Sequence, residues 1–142
     1  MVTFLLLATL LAPAPAPTLS ADPCAGMDCE AQMGSMTCAD LCDIIEDIEA
    51  ELRRVDAIIS NLFEVLRQIP DLEQQALDGF GDCMGDPNAD MADCLLAYSE
   101  ALSDISDLES STSEQISSWR EVHRLLKEDH QQYSQIKACC CP

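Results

Sequence analysis

The sequence predicts an all-α protein: a long, coiled-coil-like antiparallel helical hairpin, clamped by disulfides at both ends. Two observations predict this fold. Apolar residues recur with heptad spacing along two long stretches, and the nine cysteines fall at the ends of these stretches rather than in their middles. The apolar stripe of the first stretch is wider than one partner helix covers. We therefore expect two hairpins to form a four-helix rod as a dimer, and a three-helix bundle is the alternative.

Residues 1–21 have the pattern of a secretory signal peptide. An apolar run over residues 1–12 is too short to span a bilayer, a stretch of Pro and Ala follows it, and the small residues Ser20 and Ala21 stand where cleavage is expected. An uncleaved membrane anchor is the alternative. We therefore expect a secreted, extracellular chain that has no membrane span once the signal is removed.

Acidic residues dominate the chain, which has 26 Asp or Glu against 7 Lys or Arg and a formal net charge of −19. Such a charge keeps a protein soluble and repels nucleic acids and anionic membranes. We therefore expect no binding to nucleic acid. The charged partners that this acidity favours are basic proteins or basic receptor surfaces.

An N-terminal arm that contains cysteines, residues 22–37, precedes the first heptad helix, which is predicted over residues 38–78. Thr37 and Asp40 have the spacing of a capping box at the start of this helix. Pro70 interrupts the apolar pattern and predicts a kink within the helix; a new helix that begins at Pro70 is the alternative. The predicted seam positions of this helix are Ile45, Ile48, Leu52, Val55, Ile59, Leu62, Leu66 and Ile69.

A glycine-rich turn is predicted over residues 79–87, with Asp86 and Pro87 as the N-cap and first residue of the next helix. This second long helix is predicted over residues 88–138, and a Cys-Cys-Cys-Pro tail covers residues 139–142. Its predicted seam and interface positions are Leu95, Tyr98, Leu102, Ile105, Ile116, Trp119 and Leu126.

Charge favours an antiparallel pairing of the two helices. If the turn is centred near residue 84, facing residues have numbers that sum to about 168. The acidic residues of 40–51 then lie beside Arg120, Arg124 and Lys127. Each exposed pair contributes less than about 1 kcal/mol, but together the pairs disfavour a parallel arrangement, which would bring acid against acid.

Clustered cysteines in an exported chain of this size predict disulfides. Cys83 and Cys94 flank the turn and are natural partners, whereas the other seven gather at the open end of the hairpin and join the arm to the tail. Seven is odd, so one thiol stays free or bonds another molecule, and we expect a covalent dimer through one of them. The cysteines predicted to form disulfides are Cys24, Cys29, Cys38, Cys42, Cys83, Cys94, Cys139, Cys140 and Cys141.

No pattern in the sequence predicts catalysis or a metal site. The cysteine spacings lack the paired C-x2–4-C units of zinc sites, and neither a nucleophile elbow nor a phosphate-binding glycine loop occurs. His123 and His130 lie seven residues apart on the seam. One interpretation is a pH-sensitive or metal-binding point, and the favoured one is a pair of polar positions that set the register. Residues 86–90 begin like a calcium-binding loop, but Met91 and Ala97 replace its glycine and final acid, which favours helix capping.

The sequence therefore predicts a non-catalytic structural or protein-interaction protein that has no cofactor and associates with itself. Two alternatives are open. One is a small extracellular carrier of an apolar ligand, lined by Tyr98, Phe63, Trp119 and Met91. The other is an exported toxin or effector that binds a basic receptor surface.

Overall fold

The computed structural model describes residues 22–142, so the signal-peptide prediction for residues 1–21 lies outside the described residues. The described chain consists of three helices: α1 (Cys29–Met33), α2 (Cys38–Gly85) and α3 (Met91–Cys140). Helices α2 and α3 pack against each other as an antiparallel hairpin, and the short α1 packs against α3. The predicted all-α hairpin with a disulfide at each end is confirmed, and its dimerisation stays a prediction.

The capping box predicted at the start of α2 is present. The backbone N–H of Thr37 donates to Asp40 Oδ2 at 2.7 Å, and the backbone N–H of Asp40 donates to Thr37 Oγ1 at 3.2 Å. Two free donors at the helix start are thereby satisfied. The backbone hydrogen bond from Thr37, with a second one from its hydroxyl group, holds the pKa of the Asp40 carboxyl below its usual value.

Helix α2 runs further than the sequence predicts. It continues past residue 78, through Gly79 and Gly81, and ends at Gly85, so the connection covers residues 86–90 rather than 79–87. A glycine inside a helix costs about 1 kcal/mol relative to alanine. Two contacts with α3 offset this cost: the Cys83–Cys94 disulfide, and the ring of Phe80, stacked on that of Tyr98 with centroids 5.0 Å apart.

The caps of the connection also differ from the prediction. Asp86 is the C-cap of α2 and its side chain accepts from the backbone N–H of Asn88 at 2.9 Å. The N-cap of α3 is Asp90, whose carboxylate accepts from the backbone N–H of Ala92 at 2.8 Å. The carboxylate of Asp90 thus caps the start of α3, whereas the carboxylate of Asp86 forms its hydrogen bond within the connection. At the other end, α3 includes Cys139 and Cys140, which were predicted to lie in the tail.

Helix α2 continues through Pro70 as a single element, which excludes the alternative of a new helix there. The proline ring removes one backbone N–H donor from the helix. The remaining turns are held by the packing of α2 against α3, so the loss of one hydrogen bond does not divide the element.

The predicted register is wrong. Facing residues have numbers that sum to about 179, as in the pairs Cys38–Cys141, Glu49–His130 and Asp56–His123. The difference from 168 arises because α2 is longer than predicted, which moves the turn towards residue 89. Arg120, Arg124 and Lys127 are therefore no longer opposite residues 40–51.

The arginine ion pairs lie within helices rather than between them. Arg124 pairs with Glu121 and Glu128, and Arg67 pairs with Glu64. The hydrogen bond from Arg124 lowers the pKa of Glu121, and the two carboxylates raise the pKa of Arg124. These groups are exposed, so the pairs support helix formation only weakly.

The buried core is narrow and unevenly distributed. Most of its members lie on the part of the hairpin that carries the chain ends, and only Ile69 and Cys94 lie nearer the connection. The buried side chains are Leu41, Ile45, Val55, Ile69, Cys94, Thr112, Ile116 and Ile136.

Candidate interaction site

The hairpin divides into two halves that differ in charge. We call residues 68–111 the tip half and residues 22–67 with 112–142 the clamp half, a division that follows the observed register. The tip half carries eleven Asp or Glu residues and no Lys, Arg or His. The clamp half carries fifteen acidic residues together with all 7 Lys or Arg and both His. Only the tip half is therefore purely anionic.

Three disulfides close the clamp half. They join Cys24 to Cys139, Cys29 to Cys140 and Cys38 to Cys141. Successive residues of a helix point about 100° apart. The three consecutive cysteines therefore reach three separate points: two in the N-terminal arm, which wraps around the end of α3, and one at the first residue of α2. The predicted joining of arm to tail is confirmed, as is the predicted Cys83–Cys94 bond at the tip.

Cys42 is the cysteine left out of these four bonds, and its side chain is half-buried. One of the seven cysteines at this end was expected to stay free or to bond another molecule, and within the chain that cysteine is Cys42. Cys42 lies on α2 one turn after Cys38, which bonds the last cysteine of the tail, Cys141. All three tail cysteines are paired within the chain, so a covalent dimer through the tail is not available.

On the clamp half, both histidines face acidic residues of α2. His123 Nε2 lies 3.2 Å from Asp56 Oδ1, and His130 Nε2 lies 3.1 Å from Glu49 Oε1. Asp56 follows Glu49 by seven residues, just as His130 follows His123, so the two contacts repeat one facing position of the heptad. They join the helices at fixed positions and therefore specify the register.

The same facing position becomes apolar towards the tip. Phe63 follows Asp56 by seven residues, and the guanidinium of Arg120 lies 5.3 Å from its ring centroid. Continuing at the same interval, α2 presents Pro70, Leu77 and Met84. One flank of the hairpin thus changes from polar contacts between histidines and carboxylates in the clamp half to exposed apolar side chains at the tip.

We define the tip patch as Leu77, Met84, Met91 and Leu95, whose exposed fractions are 47, 41, 60 and 50%. Met84 and Leu95 each follow a cysteine of the Cys83–Cys94 bond. They are also five heptads beyond Glu49 and His130 along their helices. Met91 lies one helical turn before Leu95. Monomeric proteins rarely expose clustered apolar side chains without a binding role.

The predicted seam residues are all buried or half-buried except Leu95. Its expected place in the interface is taken by Cys94, which is 2% exposed. The disulfide to Cys83 fixes Cys94 between the helices, and this turns Leu95, the next residue, outwards. A seam predicted only from alternating spacings of three and four residues does not reveal that Leu95 is turned out of the interface.

The cavities of the described residues are shallow grooves. An apolar groove of about 290 Å³ lies beside the tip disulfide and includes Phe80 and Tyr98, while Phe63 lines a separate groove of about 220 Å³. The largest cavity, about 730 Å³, is lined only by Ser and Glu residues of α3. Tyr98 and Phe63, proposed from sequence to line one ligand cavity, thus lie in different grooves.

Within residues 22–142, no group of three or more His, Cys, Asp or Glu is arranged to hold a metal ion. Over the same residues, no helix is apolar over a sufficient length to cross a membrane. Comparison of the chain with protein-family models, curated proteins and solved structures finds no match.

Proposed function

We propose that this is a secreted, acidic, non-catalytic protein that acts by binding other proteins through the tip half of its hairpin. The observation that carries this proposal is the coincidence of the exposed tip patch with the half of the molecule that has no positive charge. Clustered exposed apolar side chains rimmed by charge are typical of protein interaction sites.

Export is supported by the signal-like pattern of residues 1–21 and by the four disulfides. Disulfides persist in oxidising compartments and are rare in the cytosol. The long hairpin gives this binding protein a defined shape. With 48 residues at 1.5 Å each, α2 alone holds the tip patch about 70 Å from the clamp.

The proposal is tested with the oxidised protein and a chemical cross-linker in the extracellular fluid of the producing organism. Leu95→Gln, in the tip patch, is compared with Leu125→Gln, a residue of α3 in the clamp half that is 47% exposed. We expect a specific cross-linked product that is lost with Leu95→Gln and kept with Leu125→Gln. Equal products from both variants, or none from the wild-type protein, would contradict the proposal.

Self-association is a second candidate, and the unbonded thiol of Cys42 favours it. A covalent dimer of this chain would be joined through Cys42, because the other eight cysteines are paired internally. Intact mass spectrometry of the non-reduced protein tests this idea. We expect a dimer mass that Cys42→Ser abolishes, whereas a monomer with one alkylatable thiol would rule the covalent dimer out.

A further inference from the structure

We propose that the tip half binds a cationic amphipathic helix of another protein, with the apolar face of that helix on the tip patch and its Lys and Arg side chains towards the surrounding carboxylates. This inference rests on the proposed function and names the class of partner. The observations that carry it are the position of the patch on the hairpin, its side chains and its charge.

The position of the patch favours a helix as the ligand. Leu77 and Met84 are seven residues apart on α2, and Met91 and Leu95 are four apart on α3. Met84 and Leu95 each directly follow a cysteine of the bond that joins the two helices. Apolar residues at these intervals on two adjacent helices form the flank against which a third helix packs, with its own apolar residues at i, i+3, i+4 and i+7. The third helix would complete a short three-helix segment at the tip.

The side chains of the patch suit such a ligand. Leu77 and Leu95 provide branched apolar surface, while Met84 and Met91 have flexible thioether chains that adapt to different apolar partners. On the clamp half, the flank is apolar only at Phe63, whose ring is covered by Arg120, and the positions beyond it carry Asp56 with His123 and Glu49 with His130. A bound helix is therefore confined to the tip.

Charge determines which amphipathic helix fits. Asp78, Asp82 and Asp93 each lie within two residues of a member of the patch, and the tip half has no positive charge to neutralise them. Cationic side chains at the edge of the ligand helix gain attraction, and the approach of a cationic ligand is accelerated.

The same charge disfavours other occupants. A second copy of this chain would bring eleven further carboxylates of its own tip half against the first set. An anionic membrane surface is repelled for the same reason. A small apolar molecule would find an exposed flank rather than an enclosing pocket, and the adjacent groove measures only about 290 Å³.

The test uses the full oxidised chain and a synthetic helical peptide of about 18 residues, roughly five turns, made of Leu and Lys with Leu at i, i+3, i+4 and i+7. A peptide of the same composition in scrambled order has equal charge but no apolar face. Fluorescence anisotropy measures both affinities at low and moderate salt. We expect saturable one-to-one binding of the amphipathic peptide, and binding of the scrambled peptide at least ~10-fold weaker.

Matched variants localise the binding. We expect Leu77→Gln/Leu95→Gln to weaken binding of the amphipathic peptide at least ~10-fold. Val122→Gln/Leu125→Gln in the clamp half should change the affinity for this peptide less than ~2-fold. Asp82→Asn/Asp93→Asn should weaken binding ~3-fold or more at low salt and less at moderate salt. The control pair in the clamp half, Asp43→Asn/Asp47→Asn, should have the smaller effect. Far-UV circular dichroism verifies that each variant retains the helical hairpin.

Three outcomes would overturn the inference: equal binding of the scrambled peptide, equal losses from tip and clamp variants, or a wild-type dimer in sedimentation that Leu77→Gln/Leu95→Gln converts to monomer. The last would assign the patch to a second copy. A cross-linked extracellular partner that depends on Leu95, combined with no binding of the amphipathic peptide, would leave the proposed function standing and reject only the class of partner.

Discussion

The clamp half and the tip half are built from the same two helices, yet they bury their apolar residues differently. The clamp half has three of the four disulfides and most of the buried core, including the fully buried Leu41 and Val55. The tip half has one disulfide, two buried residues, and Leu and Met side chains that stay in contact with solvent. Heptad spacing alone does not distinguish these halves, because it is present in both.

The contacts that stabilise the fold and the apolar side chains that are exposed to solvent thus lie at different places along the hairpin. In the clamp half, covalent bonds and apolar burial act together at the chain ends. At the tip, the Cys83–Cys94 bond and the stacked rings of Phe80 and Tyr98 hold the helices together. Because these contacts hold the two helices together at the tip, the neighbouring apolar side chains are not needed between the helices and can contact another molecule.

Removal of the clamp disulfides should have the largest effect on stability. A disulfide that closes a loop of about 100 residues contributes about 4.7 kcal/mol through the entropy of the unfolded chain, whereas a loop of about 15 residues gives about 3 kcal/mol. The clamp bonds join residues 103 to 115 apart and the tip bond joins residues 11 apart. We therefore expect the clamp variant to lose more free energy of unfolding than Cys83→Ser/Cys94→Ser. The clamp variant replaces Cys24, Cys29, Cys38, Cys139, Cys140 and Cys141 with Ser.

Urea denaturation of both variants provides the comparison, and Cys42→Ser is the control because Cys42 forms no bond within the chain. A smaller loss in the clamp variant than in the tip variant would show that the chain ends contribute less than the described bonds imply.

The glycines of α2 test whether the tip half is helical as far as Gly85. Both Gly79 and Gly81 lie inside the helix, and at each of them the position that an alanine Cβ would occupy has no neighbouring atom within 4 Å. Gly79→Ala/Gly81→Ala should therefore stabilise the protein by about 1–2 kcal/mol, measured by thermal or urea denaturation.

Gly34→Ala is the matched control, because Gly34 has φ of 55° and alanine is strained in that region. It should destabilise the protein. If Gly79→Ala/Gly81→Ala also destabilised the protein, these glycines would belong to a turn, and α2 would end before Gly79.

The capping box tests the start of α2 in the clamp half. Thr37→Ala removes the hydroxyl that accepts from the backbone N–H of Asp40, and an N-cap of this kind contributes about 1 kcal/mol. We expect a loss of this size in the free energy of unfolding. A loss near zero would mean that the adjacent Cys38–Cys141 bond holds the first turn without the cap.

The same cap makes a prediction about pH. The folded pKa of Asp40 is below its usual value, so its charge stabilises the fold above the unfolded carboxyl pKa of about 3.9 and ceases to do so as the pH falls through the lower folded value. The wild type should therefore melt at a higher temperature than Asp40→Asn at pH 5–7. This difference in melting temperature should disappear in stronger acid. A difference that persisted in strong acid would show that the side-chain shape, and not its charge, stabilises the cap.

The smallest effect is expected at the contacts between histidines and carboxylates that join the helices. Glu49 and His130 are both partly exposed, and such pairs usually contribute less than about 1 kcal/mol. A double-mutant cycle with Glu49→Gln and His130→Gln should give a coupling energy in this range. A coupling above about 2 kcal/mol would make this contact, rather than burial and disulfides, a main source of clamp-half stability.

The two long helices were predictable because each depends on local sequence, whereas the short α1 lies in a segment that was predicted only as an N-terminal arm. Heptad spacing identified α2 and α3, and Thr37 with Asp40 identified the start of α2. The register was not predictable in the same way, because it depends on where the turn lies. Gly79 and Gly81 suggested a turn, but the disulfide at Cys83 and the ring contact of Phe80 keep these residues helical.

The candidate site was only partly predictable. The run without basic residues around Asp86 is visible in the sequence, and Met84 and Met91 could have been noted beside it. Their exposure could not be deduced, because Leu95 fits the heptad seam as well as any buried leucine. Its orientation depends on the pairing of Cys94 with Cys83, and the charge pattern becomes a one-sided surface only in the observed register.

The order of the cysteines along the chain has a consequence for biosynthesis. Cys83 and Cys94 emerge from the ribosome almost together, whereas Cys24, Cys29 and Cys38 appear more than 100 residues before their partners. If the chain enters an oxidising compartment during translation, these early thiols meet each other and Cys42 first. Temporary bonds among them must then be exchanged once residues 139–141 arrive, on the slow time scale of thiol–disulfide reshuffling. The three clamp bonds can therefore form only after almost the whole chain has been made.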